Sequence, residues 1–241
     1  MHCLLFTTIQ EEARIWFNHR STCPPRISVW CCSAALHFAA GDDRFQSEIY
    51  SIRAFFYYDL EDLAKSEQDI NEGKKLNIDL TLQMGMKLKQ QGINVLRSGQ
   101  YNEAARLLQL AEMFFRPPWR VHQSQKHWHE CWKCLIYASW HGKMYGRAIQ
   151  AGKKWRQMEP ITRQEEANDW KERGNEMFKE RKYDIAIDCY TLSIQYAAPA
   201  DDVLLGTLHS NRSHTYLQKK QFKKAKDDAE KCLKYRPNWS K

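Results

Sequence analysis

Residues 88–117, "LKQQGINVLRSGQYNEAARLLQLAEMFFRP", lie without gaps over residues 170–199, "WKERGNEMFKERKYDIAIDCYTLSIQYAAP". At this offset Lys89 meets Lys171, Gly92 meets Gly174, Tyr101 meets Tyr183, Ala104 meets Ala186, Leu110 meets Leu192 and Pro117 meets Pro199. A chain that repeats itself in this way builds one supersecondary unit several times over, each unit touching chiefly its neighbours. A finer spacing runs through the same region. A residue, usually small, is followed twelve positions later by Ala or Ser, in the pairs Ala54/Ser66, Gly92/Ala104, Ile136/Ala148, Gly174/Ala186 and Ser213/Ala225. Three positions before each second member stands a bulky apolar residue: Leu63, Tyr101, Tyr145, Tyr183 and Phe222.

This spacing predicts antiparallel helix pairs. Small residues facing each other let two helices approach closely, and the bulky residue at the turn is expected to fill the wedge between them. Pro117, Pro160, Pro199 and Pro237 then end the second helix of four units, because proline lacks an N–H and clashes with the preceding turn. One pair cannot bury its own apolar face, so successive pairs are expected to stack. The composition agrees: helix formers are abundant, while Gly (10) and Pro (7) are scarce and fall mostly between periodic stretches. With 43% hydrophobic residues a packed core is within reach.

These units resemble tetratricopeptide repeats over roughly residues 50–241. The units at 170–199 and 209–238 match best, "SNRSHTYLQKKQFKKAKDDAEKCLKYRP" strongly so, and those at 50–78 and 132–160 are degenerate. The resemblance implies an all-α fold of tandem antiparallel helix hairpins stacked as a right-handed superhelix, an α-solenoid with a concave inner face. Three regions are expected: an ill-defined helical segment at 1–48, degenerate repeats at 49–165, and two well-matched units at 166–241. Within the first region "VWCCSAALHFAA" (29–40) reads as the first helix of the unit completed by residues 50–78.

Lys171 and Asn175 stand at i and i+4 and so share one helix face. In the next unit Asn211 occupies the corresponding early position. "KERGN" and "SNRS" resemble the first two parts of the carboxylate clamp with which some tetratricopeptide domains hold the C-terminal tails of Hsp70 and Hsp90 chaperones. Lys241 would be the lysine of the third part, whose arginine has no counterpart here. The resemblance thus implies a peptide-carboxylate site of Lys171, Asn175, Asn211 and Lys241. A peptide ending in Asp carries two neighbouring carboxylates, and lysine and asparagine donors give them charge-assisted bonds worth about 1.5–3 kcal/mol each. The chain is expected to be a piece of a longer array, with Ala225, Ala229, Cys232 and Leu233 as the apolar face awaiting a further helix.

Other chemistry is less well supported. His127, His129, Cys131 and Cys134 are zinc-type ligands, but they crowd into one segment whose Trp132 and Leu135 are needed for packing, and no metal is expected there. The eight cysteines are irregularly spaced with no secretory leader, which reads as free thiols in a reducing, cytoplasmic setting. The net charge of +8 favours acidic partners. The aromatic residues and "KKQFKKAKDDAEKCLKYR" leave a basic RNA-binding array as one alternative, although alternating charge on a helix more often means a solvated face. No serine-hydrolase elbow, phosphate loop, zinc-protease helix or dinucleotide loop is present. The expectation is a non-enzymatic scaffold, without cofactor, small-molecule substrate or membrane span, that binds extended peptides, Hsp70 or Hsp90 tails among them. The other alternative is a general assembly scaffold or the adaptor portion of a larger protein.

Overall fold

A computed structural model describes residues 11–15, 17–18, 23–116, 122–158 and 164–237. Among these residues every regular element is helical. By contact the chain forms two compact units, 1–138 and 139–241; the boundaries expected from sequence stood at 48/49 and 165/166. The first unit holds α1 (Pro25–Phe38), α2 (Asp43–Asp59), α3 (Leu63–Leu76), α4 (Ile78–Arg97), α5 (Tyr101–Phe115) and most of α6 (His122–His141). The second holds α7 (Tyr145–Met158), α8 (Gln164–Lys179), α9 (Tyr183–Tyr196), α10 (Asp202–Gln218) and α11 (Phe222–Tyr235). In the first, α2 packs on α3 and α4 on α5; in the second, α8 packs on α9 and α10 on α11.

The turns explain the pairing. Five helix pairs are joined by three residues, of which the central one has positive φ: Glu61 (61°), Gly99 (78°), Lys143 (58°), Arg181 (60°) and Lys220 (58°). The next residue's N–H reaches back to the carbonyl five positions earlier, as in Asp62 to Tyr57 (2.9 Å), Gln100 to Val95 (3.2 Å) and Lys182 to Met177 (2.9 Å). This left-handed closure satisfies carbonyls that the helix end would otherwise orphan and reverses the chain. Helix starts are set by side-chain caps: Asp42 accepts from Phe45 N (2.9 Å), Asp62 from Lys65 N (3.1 Å), Asn77 from Leu80 N (3.0 Å) and Asp201 from Leu204 N (2.9 Å).

The twelve-residue spacing becomes helix contact. Ala104, Ala148, Ala186 and Ala225 are all buried. The Ser66 hydroxyl donates to the Ala54 carbonyl (2.9 Å), and the Ser213 hydroxyl to the Ala225 carbonyl (2.7 Å), so the same pair of positions bonds in either direction. Gly174 faces Tyr190 so closely that a Cβ there would stand 2.6 Å from the ring. A second device recurs as well. Arg53 grips Asp69 through two bonds (2.7 and 2.8 Å) and reaches Ser33 (2.9 Å). Arg212 grips Asp228 in the same way (2.7 and 2.8 Å) and reaches Thr191 (2.9 Å). Each arginine ties three successive helices.

Three expectations are corrected. Residues 29–40 do not supply the first helix of the 50–78 unit: α1 is a separate helix, and α2, capped by Asp42, pairs with α3. Ala13 and Phe17 instead join Cys32, Ala35 and Ile49 of α1 and α2 in a small apolar cluster. The bulky turn residue does not always fill a wedge. Tyr145 and Tyr183 pack on Trp140 and Phe178 (centroids 4.9 and 5.6 Å apart), but Leu63 and Phe222 are exposed. Last, Ala225, Ala229, Cys232 and Leu233 are not one open face: Ala225 and Cys232 are buried, and Ala229 and Leu233 are exposed. Pro117 and Pro160 lie outside the described residues.

Candidate functional site

Within the second unit, α8 and α10 are the first helices of adjacent pairs, and the site lies between them. Asn175 projects from α8 and Asn211 from α10. Asn211 Nδ2 donates to Asn175 Oδ1 at 3.2 Å. The Tyr190 hydroxyl, from α9, donates to the same oxygen at 2.9 Å. Burial pushes the Tyr190 phenol well up from its ordinary range, so it remains a protonated donor. These groups line a cleft of about 240 Å³ together with Glu172, Phe178, Lys179 and His214. The Phe178 ring lies between Tyr183 and His214, with centroids 5.6 and 5.1 Å away.

Of the residues expected at the site, Asn175 and Asn211 come together. Lys171 stands one turn before Asn175 on α8, about a quarter exposed, with its ammonium 3.3 Å from Glu172 Oε1. Lys241 lies outside the described residues. Sequence reasoning missed Tyr190 and Glu172. Tyr190 follows Gly174 by sixteen positions, as Leu108 follows Gly92, and in both pairs the larger side chain fills the space the glycine leaves. That recurrence was a usable signal. Glu172 gave none, because adjacent residues on a helix do not face each other.

The cleft is anchored from behind. Trp140 donates to Glu176 of α8 (3.2 Å), and Arg173 lies 5.5 and 4.8 Å from the Trp140 and Trp170 ring centres. Burial lowers the pKa of Arg173. On the other side Asp228 receives Arg212 and His209 Nδ1 (2.9 Å), which holds α10 on α11. Burial opposes ionisation of Asp228, but the bonds from Arg212 and His209 outweigh it and lower the pKa to about 2. What the cleft offers a ligand is amide donors, nearby ammonium groups and an aromatic wall, with no nucleophile paired to a base.

The zinc-type residues belong to the first unit. His127 Nδ1 lies 2.8 Å from the Lys89 ammonium, which also pairs with Glu130. Cys131 is buried, with its thiol pKa raised by desolvation, and Cys134 is half-buried. Among the described residues no three His, Cys, Asp or Glu side chains are placed to hold a metal. Among them, too, no helix is long and apolar enough to cross a membrane.

No protein-family model matches the chain. It is 39% identical over 75 residues to heat shock protein STI1 of Saccharomyces cerevisiae, a stretch covering 31% of this chain and 12% of the relative. It is 35% identical over 83 residues to a DNA polymerase interacting, tetratricopeptide repeat-containing protein of 47 kDa from Drosophila melanogaster, covering 34% of this chain and 21% of the relative. The chain therefore spans only a small part of the length of either relative. Among solved structures it is similar to YrrB, a TPR protein with an unusual peptide-binding site, with TM-score 0.33, 12% identity, and 79% and 86% of the two chains covered. Recurrent three-residue left-handed turns, small residues twelve apart in helix contact, and alignment to these relatives agree: the chain is built of tandem helix hairpins and over about a third of its length is similar to tetratricopeptide repeat-containing proteins.

Proposed function

We propose that this protein is a non-catalytic interaction scaffold whose α8–α10 cleft takes the C-terminal carboxylates of an extended acidic peptide. The observation that carries this reading is the meeting of Asn175 and Asn211 at 3.2 Å across two first helices, with Tyr190 fixing the shared oxygen. Both amides line one cleft, and Lys171 and Lys179 stand within a turn of Asn175 on α8. Such a surface suits a terminal carboxylate, whose capture is a recurring mode of peptide recognition. Tails of the Hsp70 and Hsp90 type, which end in Asp, are the ligand class we infer. The surplus of positive charge, +8, favours the same acidic partners.

Calorimetry with a peptide ending in Glu-Glu-Val-Asp tests this. The free acid should bind at least tenfold more tightly than the C-terminal amide, since one lost charge-assisted bond is worth about 1.5–3 kcal/mol and 1.4 kcal/mol is a decade. Equal binding of the two forms contradicts the reading. Binding to single-stranded RNA that weakens steeply with salt, in place of peptide binding, would favour the nucleic-acid alternative.

A further inference from the structure

We infer that Glu172 is a built-in competitor for the peptide's carboxylate, held on the donors that the ligand needs. This rests on the carboxylate reading of the cleft and adds a determinant of its affinity. One carboxylate oxygen of Glu172 lies 3.3 Å from the Lys171 ammonium. The other accepts from Asn175 Nδ2 at 3.2 Å. A single acidic side chain thus engages both members of the Lys171/Asn175 pair, and it lines the cleft itself.

The geometry is not imposed by the fold. Glu172 is two-thirds exposed. Adjacent residues on a helix diverge, so the 3.3 Å approach of Lys171 and Glu172 is a side-chain arrangement and does not follow from the helix backbone. Asn175 is positioned independently, with its Oδ1 pinned by Tyr190 and Asn211. On Asn175, Glu172 therefore occupies a donor that is preorganised without it. An incoming carboxylate must displace the Glu172 carboxylate or accept its repulsion. Either way a bound tail forms its bonds to Lys171 and Asn175 by exchange, and the net gain is smaller than the bonds alone would give.

Glu172→Gln tests this by calorimetry on the full chain, with Glu180→Gln as the control. Glu180 lies just past the end of α8, in the turn to α9, pairs with Lys182 and does not line the cleft, so it changes the net charge equally. The probe is the peptide ending in Glu-Glu-Val-Asp, as free acid and as amide. Glu172→Gln should tighten free-acid binding about two- to fivefold, the range that removal of one exposed charge interaction gives. Glu180→Gln should leave the affinity near wild type, and neither variant should change binding of the amide. If wild type separates acid from amide but Glu172→Gln binds as wild type does, the competitor is refuted and the carboxylate cleft stands. If both variants tighten alike, the effect is one of overall charge and the competitor is again refuted. If wild type does not separate acid from amide, the carboxylate cleft falls and Glu172 has nothing to compete with. Matching circular dichroism melts for the three proteins exclude a folding difference.

Discussion

Gly174 shows how closely one residue ties packing to the cleft. A Cβ at this position would meet Tyr190 atoms at 2.6, 2.7 and 3.0 Å, and Tyr190 is buried. Overpacking of this kind costs about 1–3 kcal/mol, against a gain of about 1 kcal/mol from helix propensity. Gly174→Ala should therefore lower stability by about 1 kcal/mol in a denaturant titration. It should also weaken free-acid binding, because the displaced ring carries the hydroxyl that fixes Asn175. A variant as stable as wild type would mean that the pair does not approach as described. The glycine and its repeat partner Gly92 were visible in the sequence as a spacing. What each accommodates is a side chain sixteen positions away on another helix, legible only when Gly92/Leu108 and Gly174/Tyr190 are set side by side. For Asn175 and Asn211 the repeat placed both on first helices of neighbouring units, although by the small-residue spacing Asn211 matches Glu172 and not Asn175, and the structure brings the two amides into contact.

At the scale of the element, turn and cap chemistry decide where helices reverse. Gly99 has φ 78° and nothing within 4 Å of an added Cβ, so Gly99→Ala isolates the backbone term. Holding alanine in the left-handed region costs about 1 kcal/mol, and the thermal midpoint should fall by several degrees. Arg181 holds the equivalent conformation with φ 60°, so Arg181→Gly should shift the midpoint upward or leave it unchanged. A fall there would contradict the turn geometry. Glu61, Lys143, Arg181 and Lys220 carry no local signal for positive φ; helix pairing imposes it. The α2 start was readable from "GDDR", where Asp42 caps, and ignoring that cap is what misassigned residues 29–40. Between α10 and α11, Asp228 links stability to pH. Its folded pKa of about 2 lies below the ordinary carboxylate value of about 3.9, so the stabilisation is complete above pH ~4 and is lost as pH falls toward 2. The loss should approach about 2 kcal/mol in acid titrations monitored by circular dichroism. Asp228→Asn should flatten that dependence and destabilise the protein at neutral pH by about 3–5 kcal/mol, because the Arg212 charge is left buried and unmatched.

The whole molecule comprises two compact units built from one helix-pair device, and the cleft lies in the second. The repeat was legible because small residues recur wherever helices touch. The cleft was half legible, because amides on neighbouring first helices follow from register, whereas the phenol behind them and the carboxylate in front follow from side-chain directions. The central claim is that Asn175 and Asn211 act together on a terminal carboxylate. Side-chain amide resonances of these two residues, followed by nitrogen-15 NMR as a peptide ending in Glu-Glu-Val-Asp is added, test it most directly. Both NH₂ pairs should shift in concert and saturate at one peptide per chain with the free acid, and stay in place with the amide. If the two pairs remain still while the free acid binds, or move equally for both peptides, the cleft is not the carboxylate site and the account is wrong.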